Sequence, residues 1–186
     1  MLRACAIIVA GGVGSRAIRD GEQGLVPKQL QMLGGKPVIA WSLEAFAADK
    51  RFTQIVIVCA DSLRAPIAAI VAHHDVTLAR GGATRTDSVR SGLAYLNLAN
   101  VDAVFIHDAA RPGLNQSILN HLFEALEQGH DGAAPVRLVA DALWHVSDGA
   151  ITTSQDRDGL LRVQTPQAFQ AGKIKAAYEK IGRAHV

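Results

Sequence analysis

The sequence predicts an α/β fold built on a mostly parallel sheet. Two observations carry this expectation. Short apolar runs recur along the 186 residues, each of the length and composition of a strand buried on both faces. Stretches with helical periodicity separate them, and such alternation implies βαβ units.

The elements follow in order. Ala4–Ala10 is the first strand, and its end at Gly11-Gly12 begins a loop. Lys36–Ala48 has a helical pattern, with Val38, Ile39, Trp41, Leu43 and Phe46 as its apolar contacts. Gln54–Cys59 is the second strand, Leu63–His73 a helix and Val76–Ala79 a short third strand. Thr84–Leu96 is expected to be a helix, because Thr84 and Asp87 have the spacing of a capping box. Ala103–His107 is the fourth strand, Gln116–Glu127 a helix and Gly132–Val136 a fifth strand. Asp141–Val146 and Ala150–Thr153, joined by Ser147-Asp148-Gly149, read as a hairpin. A hairpin so late in an α/β chain is either an arm that packs on a partner subunit or an ordinary excursion. No repeat, linker or low-complexity segment interrupts the chain.

Composition narrows the function classes. The chain is 49% hydrophobic and 19% charged, an ordinary globular balance. A net charge of +2 is too small to indicate nucleic-acid binding. No apolar run reaches the roughly 18 residues of a membrane span, and no signal-peptide pattern precedes the first strand. Cys5 and Cys59 both lie in strand-like runs and read as buried thiols of a reduced compartment. A cytoplasmic protein is the expectation.

Four clusters carry chemistry. The first is the loop after the first strand, with Ala10, Gly11, Gly12 and Gly14 followed by Arg16 and, past a polar segment, Val26-Pro27-Lys28-Gln29. Glycines let backbone N–H groups approach phosphate closely, and Arg and Lys can neutralise it. Gly12-x-Gly14-x-x-Ala17 also matches a dinucleotide-binding fingerprint, but that site needs a helix straight after the glycines and an acidic residue about 20 positions on. Here a polar loop follows instead. A P-loop is excluded because no Gly-Lys-Ser/Thr follows. Glycine turn, Arg and Lys suit nucleotidyl transfer, in which an anionic oxygen attacks the α-phosphate of a nucleoside triphosphate and pyrophosphate leaves. Catalysis there is chiefly positioning and charge neutralisation. Taken singly, Arg16 and Lys28 also read as solvated surface cations.

The second cluster, Arg80-Gly81-Gly82-Ala83-Thr84-Arg85-Thr86-Asp87-Ser88, lies where a strand ends and a helix begins. Such a place can read a base and ribose through main-chain groups. Equally, Thr84, Asp87 and Ser88 could simply cap the helix. The third, His107-Asp108-Ala109-Ala110-Arg111-Pro112, puts a carboxylate at a strand end, where Asp108 can hold Mg²⁺. Arg111 either binds substrate or pairs with Asp108, and His107 reads first as structural. The fourth, Asp156-Arg157-Asp158-Gly159 and then Gln164-Thr165-Pro166-Gln167-Ala168-Phe169, contains Arg157, suited to a phosphate on the acceptor, and Thr165, a nearby hydroxyl; in isolation the two segments read as a turn and a strand end.

In this order the segments VAGGVGSR, VPKQ, GGATRTDSV, HDAARP, DRDGL and QTPQAF closely resemble the 2-C-methyl-D-erythritol 4-phosphate cytidylyltransferase family, over about Ala4 to Tyr178. The resemblance implies a Rossmann-like nucleotidyltransferase fold with helices on both faces and a protruding β-arm over about residues 140–163. It implies transfer of CMP from CTP to 2-C-methyl-D-erythritol 4-phosphate, Mg²⁺ as cofactor, and a homodimer joined by the arm. By position, Arg16 and Lys28 resemble the transition-state pair. Ala10, Gly11, Gly12, Gly14, Gly82, Asp87 and Ser88 resemble nucleotide-site residues, Asp108 the metal carboxylate, and Arg111, Arg157 and Thr165 the acceptor site. The arm's arginine, Arg157, is expected to act in the partner's site.

Two departures stand out. The family's arm usually reads Asp-Thr, where this chain has Asp141-Ala142. Asp-Ala-Leu-Trp resembles enzymes fused to a methylerythritol cyclodiphosphate synthase domain. The family pattern also continues beyond this chain, with an acidic segment and a final strand that carries a lysine. The last six residues, Ile181 to Val186, are what ATC GGA AGA GCA CAC GTC encodes. That is the reading of a common sequencing adapter. The expectation is therefore a cytidylyltransferase domain over residues 1–180, cut short, with a non-native tail at 181–186. Two rival readings remain, a ribitol 5-phosphate type of cytidylyltransferase and a CTP-binding fragment with little turnover. The Ala109-Ala110 pair favours the methylerythritol enzyme over the ribitol type.

Overall fold

The computed structural model describes residues 1–12 and 26–183. Its centre is a six-stranded sheet in the order β5-β4-β1-β6-β12-β7. The strands are β1 (Ala4–Ala10), β4 (Phe52–Cys59), β5 (Thr77–Arg80), β6 (Ala103–Asp108), β7 (Gly132–Ala133) and β12 (Gln167–Gln170). β1 pairs parallel with both β4 and β6, and β5 pairs parallel with β4. β12 runs antiparallel between β6 and β7. The mostly parallel α/β sheet expected from the sequence is thus present, with one antiparallel strand set into it.

Strand alternation divides the core into two layers, because successive side chains point to opposite faces. Ala6 and Ile8 of β1, Ile57 of β4 and Phe105 of β6 face one side. There they meet α1 (Val38–Ala47), α2 (Asp61–Val71) and α4 (Gln116–Glu127) through Ile39, Phe46, Ile67, Leu119 and Phe123. Cys5, Ile7, Val58, Val104 and Ile106 face the other side, against Val89 of α3 (Arg85–Ala94) and Ile174 of α5 (Ala171–Arg183). Phe52 packs edge-on against Phe46, Phe105 and Phe123 at centroid distances of 4.8, 5.0 and 5.6 Å. Each such ring buried contributes about 1.5–3 kcal/mol.

Three local expectations change. The first helix starts at Val38, two residues later than its pattern suggested. Pro37 disfavours helical backbone at Lys36, and Lys36–Pro37 (β3) instead pairs with Met32–Leu33 (β2). Gly34 and Gly35, at φ 58° and 85°, supply the left-handed pair that such a tight hairpin requires. The run read as one strand over Gly132–Val136 is divided. Gly132–Ala133 stays in the central sheet, and β8 (Val136–Leu138) leaves it to pair with β11 (Leu161–Val163). Pro135 lies at the break and has no N–H for a ladder. The strand end read at Gln164–Phe169 becomes β12, only four residues long, and α5 is a 13-residue helix beyond the elements expected from the sequence; together they complete the far side of the sheet.

The hairpin is present as β9 (Leu143–Ser147) and β10 (Ala150–Gln155), turning through Asp148-Gly149. With β8 and β11 it forms two small two-stranded sheets separate from the central one. No helix among the described residues is long and apolar enough to cross a membrane.

Candidate active site

From β1 the chain steps outward to β4 and β5, then returns to place β6 on the other side of β1. The order reverses between β1 and β6, and ligands of open α/β sheets bind in the crevice outside the carboxyl ends at such a point. Three of the four sequence clusters meet there. Val9 of β1 stands in register with Asp108 of β6, and Ala109 N–H donates to the Val9 carbonyl at 3.0 Å.

Ala10, Gly11 and Gly12 leave β1 at this crevice, while Gly14 and Arg16 lie outside the described residues. The Val26–Gln29 segment is held against the glycines by one buried side chain. Gln29 donates through Nε2 to the Ala10 carbonyl at 2.8 Å and to the Gly12 carbonyl at 3.0 Å. That latch sets the short 3₁₀ turn Lys28–Leu30, leaving Lys28 exposed beside the loop.

The second cluster adjoins the first. Thr84 and Asp87 form the expected capping box, with Asp87 N–H donating to Thr84 Oγ1 at 3.0 Å and Thr84 N–H to Asp87 Oδ2 at 3.2 Å. The Thr84 hydroxyl, which donates to the same carboxylate, holds the Asp87 carboxyl below its usual range. Ser88 is buried, accepts from Gly82 N–H at 3.1 Å and donates to the Thr84 carbonyl at 3.0 Å. A Cβ on Gly82 would fall 2.3 Å from Asp87 Cβ and one on Gly11 would fall 3.6 Å from Ser88 Oγ. The helix start is therefore packed against Gly82, and its serine faces the glycine loop.

Asp108 sits between two guanidiniums, accepting from Arg85 Nε at 3.1 Å and from Arg111 Nε at 3.2 Å. Arg85 reaches on to Gln167 Oε1 at 3.2 Å, and Arg111 to Gln164. Behind them His107 is buried, and desolvation pushes its pKa down to about 4. Thr165 stands against both His107 and the Asp108 backbone. Arg157 is placed apart, at the end of the arm, where it donates to the Ala140 carbonyl. Gln29 and Arg85 stand inside clusters the sequence marked but had no role read for them, and Ser42, buried behind the crevice, was not marked at all. Gln29 and Ser42 act through bonds to distant residues and belong to no periodic or charged pattern.

Among the described residues no group of three or more His, Cys, Asp or Glu side chains could hold a metal by itself. Magnesium takes one or two carboxylates and completes its shell with substrate phosphates and water. A lone Asp108 at the crevice fits that habit. Both of its oxygens are occupied by Arg85 and Arg111, so a cation at Asp108 would exchange with them.

An open, mostly parallel sheet with a glycine-ended first strand, a capped helix start and a charged strand end converging at its switch point defines a Rossmann-like nucleotide-handling domain. The family model for 2-C-methyl-D-erythritol 4-phosphate cytidylyltransferase (IspD) matches residues 4–185, and the chain belongs to that family. It is 45% identical over 182 residues to the Cereibacter sphaeroides enzyme of that name, covering 97% of this chain and 76% of the relative. It is also 45% identical over 183 residues to the bifunctional enzyme IspD/IspF of Hyphomonas neptunium, covering 98% of this chain. The chain spans just under half of that relative, 46%. The crystal structure of the Francisella tularensis family enzyme shares the fold, with a TM-score of 0.80 at 24% identity, covering 98% of this chain and 79% of that one.

Proposed function

We propose that the chain transfers CMP from CTP to 2-C-methyl-D-erythritol 4-phosphate, releasing pyrophosphate, as a step of isoprenoid precursor synthesis in the cytoplasm. The observation that carries this is the convergence of three clusters on one crevice, joined by Gln29, Ser88 and Asp108, in a member of the cytidylyltransferase family.

A phosphate oxygen of the acceptor attacks the α-phosphorus of CTP. The new P–O bond forms as the bond to the β-phosphate oxygen breaks, and pyrophosphate carries away the electron pair. Negative charge gathers on oxygens around phosphorus, and preorganised cations there lower the barrier. Lys28 supplies that charge beside Ala10, Gly11 and Gly12, and Arg16 and Gly14 are assigned to the same task from the sequence alone. Gly82, Asp87 and Ser88 meet the cytidine, while Arg111 and Thr165 meet the acceptor. Asp108 would hold Mg²⁺ together with phosphate oxygens, and the ion would neutralise the triphosphate.

Arg157 lies on an arm whose residues are largely exposed, among them Leu138, Trp144, Val146 and Ile151. Exposed apolar surface of this kind suits an interface. The arm joins two copies of the chain and carries Arg157 to the partner's acceptor site.

The deciding measurement is pyrophosphate release with CTP and Mg²⁺, comparing methylerythritol 4-phosphate with ribitol 5-phosphate. Release with the first acceptor alone is the expected result. Preference for ribitol phosphate would reassign the acceptor. A thermal shift with CTP and no release with either would leave only a nucleotide-binding domain.

A further inference from the structure

Behind the crevice, the buried polar groups form one hydrogen-bonded chain with a defined direction. His107 Nε2 lies 3.1 Å from the Arg111 carbonyl oxygen and 3.0 Å from Ser42 Oγ. A carbonyl has no proton to give, so Nε2 must carry one. The Ser42 hydroxyl donates to the same carbonyl at 3.2 Å. The other ring nitrogen, Nδ1, lies 3.1 Å from Thr165 Oγ1. Thr165 Oγ1 already takes the Asp108 N–H, and the acceptor within reach of its own hydroxyl proton is Nδ1. Nδ1 is therefore an acceptor, and the Thr165 hydroxyl donates to it. Thr165 Oγ1 in turn accepts from Asp108 N–H at 3.2 Å. The chain of donors runs from Asp108 N–H to Thr165 to His107, and from His107 Nε2–H to the Arg111 carbonyl.

We propose that His107 is a positioning residue for the transfer chemistry. Held as its Nε2–H tautomer, it ties the Asp108–Arg111 turn and the Thr165 hydroxyl to Ser42 of α1. It thereby presents the Asp108 carboxylate, the Arg111 guanidinium and Thr165 at fixed relative positions. The proposal rests on the cytidylyl-transfer reading above. It also restricts Thr165. The only proton of its hydroxyl is committed to His107 and one lone pair to Asp108 N–H. A ligand can therefore meet Thr165 only as a donor, which fits a substrate hydroxyl and not an ionised phosphate oxygen.

Two measurements test this independently. Long-range ¹H–¹⁵N NMR of the labelled, ligand-free chain near neutral pH should show the His107 proton on Nε2 and an unprotonated Nδ1. A proton on Nδ1 would overturn the proposal whether or not the chain turns over. In pyrophosphate-release assays, His107→Gln should lower kcat per folded molecule by about 10–100-fold, the usual cost of removing a group that orients a ligand. Thr165→Val should shift the Nδ1 resonance of His107 as its donor is lost, and Thr165→Ser should restore it. Unchanged kcat in folded His107→Gln, or an unmoved Nδ1 resonance in Thr165→Val, would sink the idea. If His107→Gln does not fold, the threonine pair and the wild-type tautomer still decide. Failure of the wild-type chain to turn over would count against the proposed function and leave the NMR test standing.

Discussion

The Gln29 carboxamide nitrogen stands 2.8 Å from the Ala10 carbonyl oxygen, so the lysine loop is fastened to the end of the first strand. Lys28 is exposed, and among the described residues no side-chain bond fixes its ammonium. Its position depends on its neighbour. In Gln29→Leu the buried Ala10 carbonyl loses a donor, at a cost of about 1–3 kcal/mol. For a chain of this size that is a fall of about 3–10 °C in Tm. Turnover should fall further than stability, by about 100-fold, since a cation displaced by about 1 Å is poorly aligned with the reacting phosphate. Gln29→Glu should be worse than Gln29→Leu, because its carboxylate would face two carbonyl oxygens with no proton to offer. Thermal unfolding with pyrophosphate-release assays on the three chains would check the order.

Gly82 and Gly11 should respond differently to alanine. At Gly82 the new methyl would collide with Asp87 Cβ at 2.3 Å and with the Asp87 carbonyl carbon at 2.9 Å. Both atoms belong to the helix start, which cannot yield without opening the capping box. Gly82→Ala should cost about 1–3 kcal/mol and weaken CTP binding, because Ser88 loses its Gly82 N–H donor. At Gly11 the methyl meets only Ser88 Oγ at 3.6 Å, an ordinary contact. Gly11→Ala should keep the wild-type Tm. Calorimetric titration with CTP, beside unfolding curves, would separate the two positions.

Much of this was legible because local signals agreed with the global fold. The apolar runs of β1, β4 and β6 gave the sheet, Thr84 and Asp87 the helix start, and Asp148-Gly149 the turn of the arm. Signals spread over distant positions were not legible. Gln164–Phe169 read as a strand end, but four residues give no sign that Gln167–Gln170 enters the central sheet antiparallel, with Ala168 fully buried between β6 and β7. The bond between Thr165 and His107 joins residues 58 positions apart, and no spacing rule predicts it. Pro135 was a readable break that the apolar run around it concealed.

His107 makes stability depend on pH. Burial lowers its pKa from 6.5 to about 4 in the folded chain. Between those values the unfolded chain binds a proton that the folded chain refuses, so stability rises with pH across that window. The contribution is complete above about pH 6.5 and is lost as pH falls towards 4. About 3 kcal/mol is at stake. Chemical unfolding of wild type and His107→Asn, with chelator present to keep divalent cations away, should show their stability difference shrinking from pH 7 to pH 4. A difference that stays constant would place the imidazole in water.

The arm makes the last prediction. β8 and β11 pair with each other, as do β9 and β10, and neither pair joins the central sheet. Ile151 is 66% exposed and Leu138 77%, surface that a single subunit leaves in water. If two copies cover it, each active site draws Lys28 from one subunit and Arg157 from the other. Lys28→Ala and Arg157→Ala would then each be nearly inactive alone. Mixed after dissociation, they would assemble about half heterodimers, each with one site that has both residues intact. Recovery of about a quarter of wild-type turnover follows from that symmetry. Ile151→Asp in both chains should abolish the recovery and leave a monomer in sedimentation, while the central sheet keeps its unfolding temperature. No recovery in the simple mixture, with dimers present, would mean that Arg157 serves its own subunit.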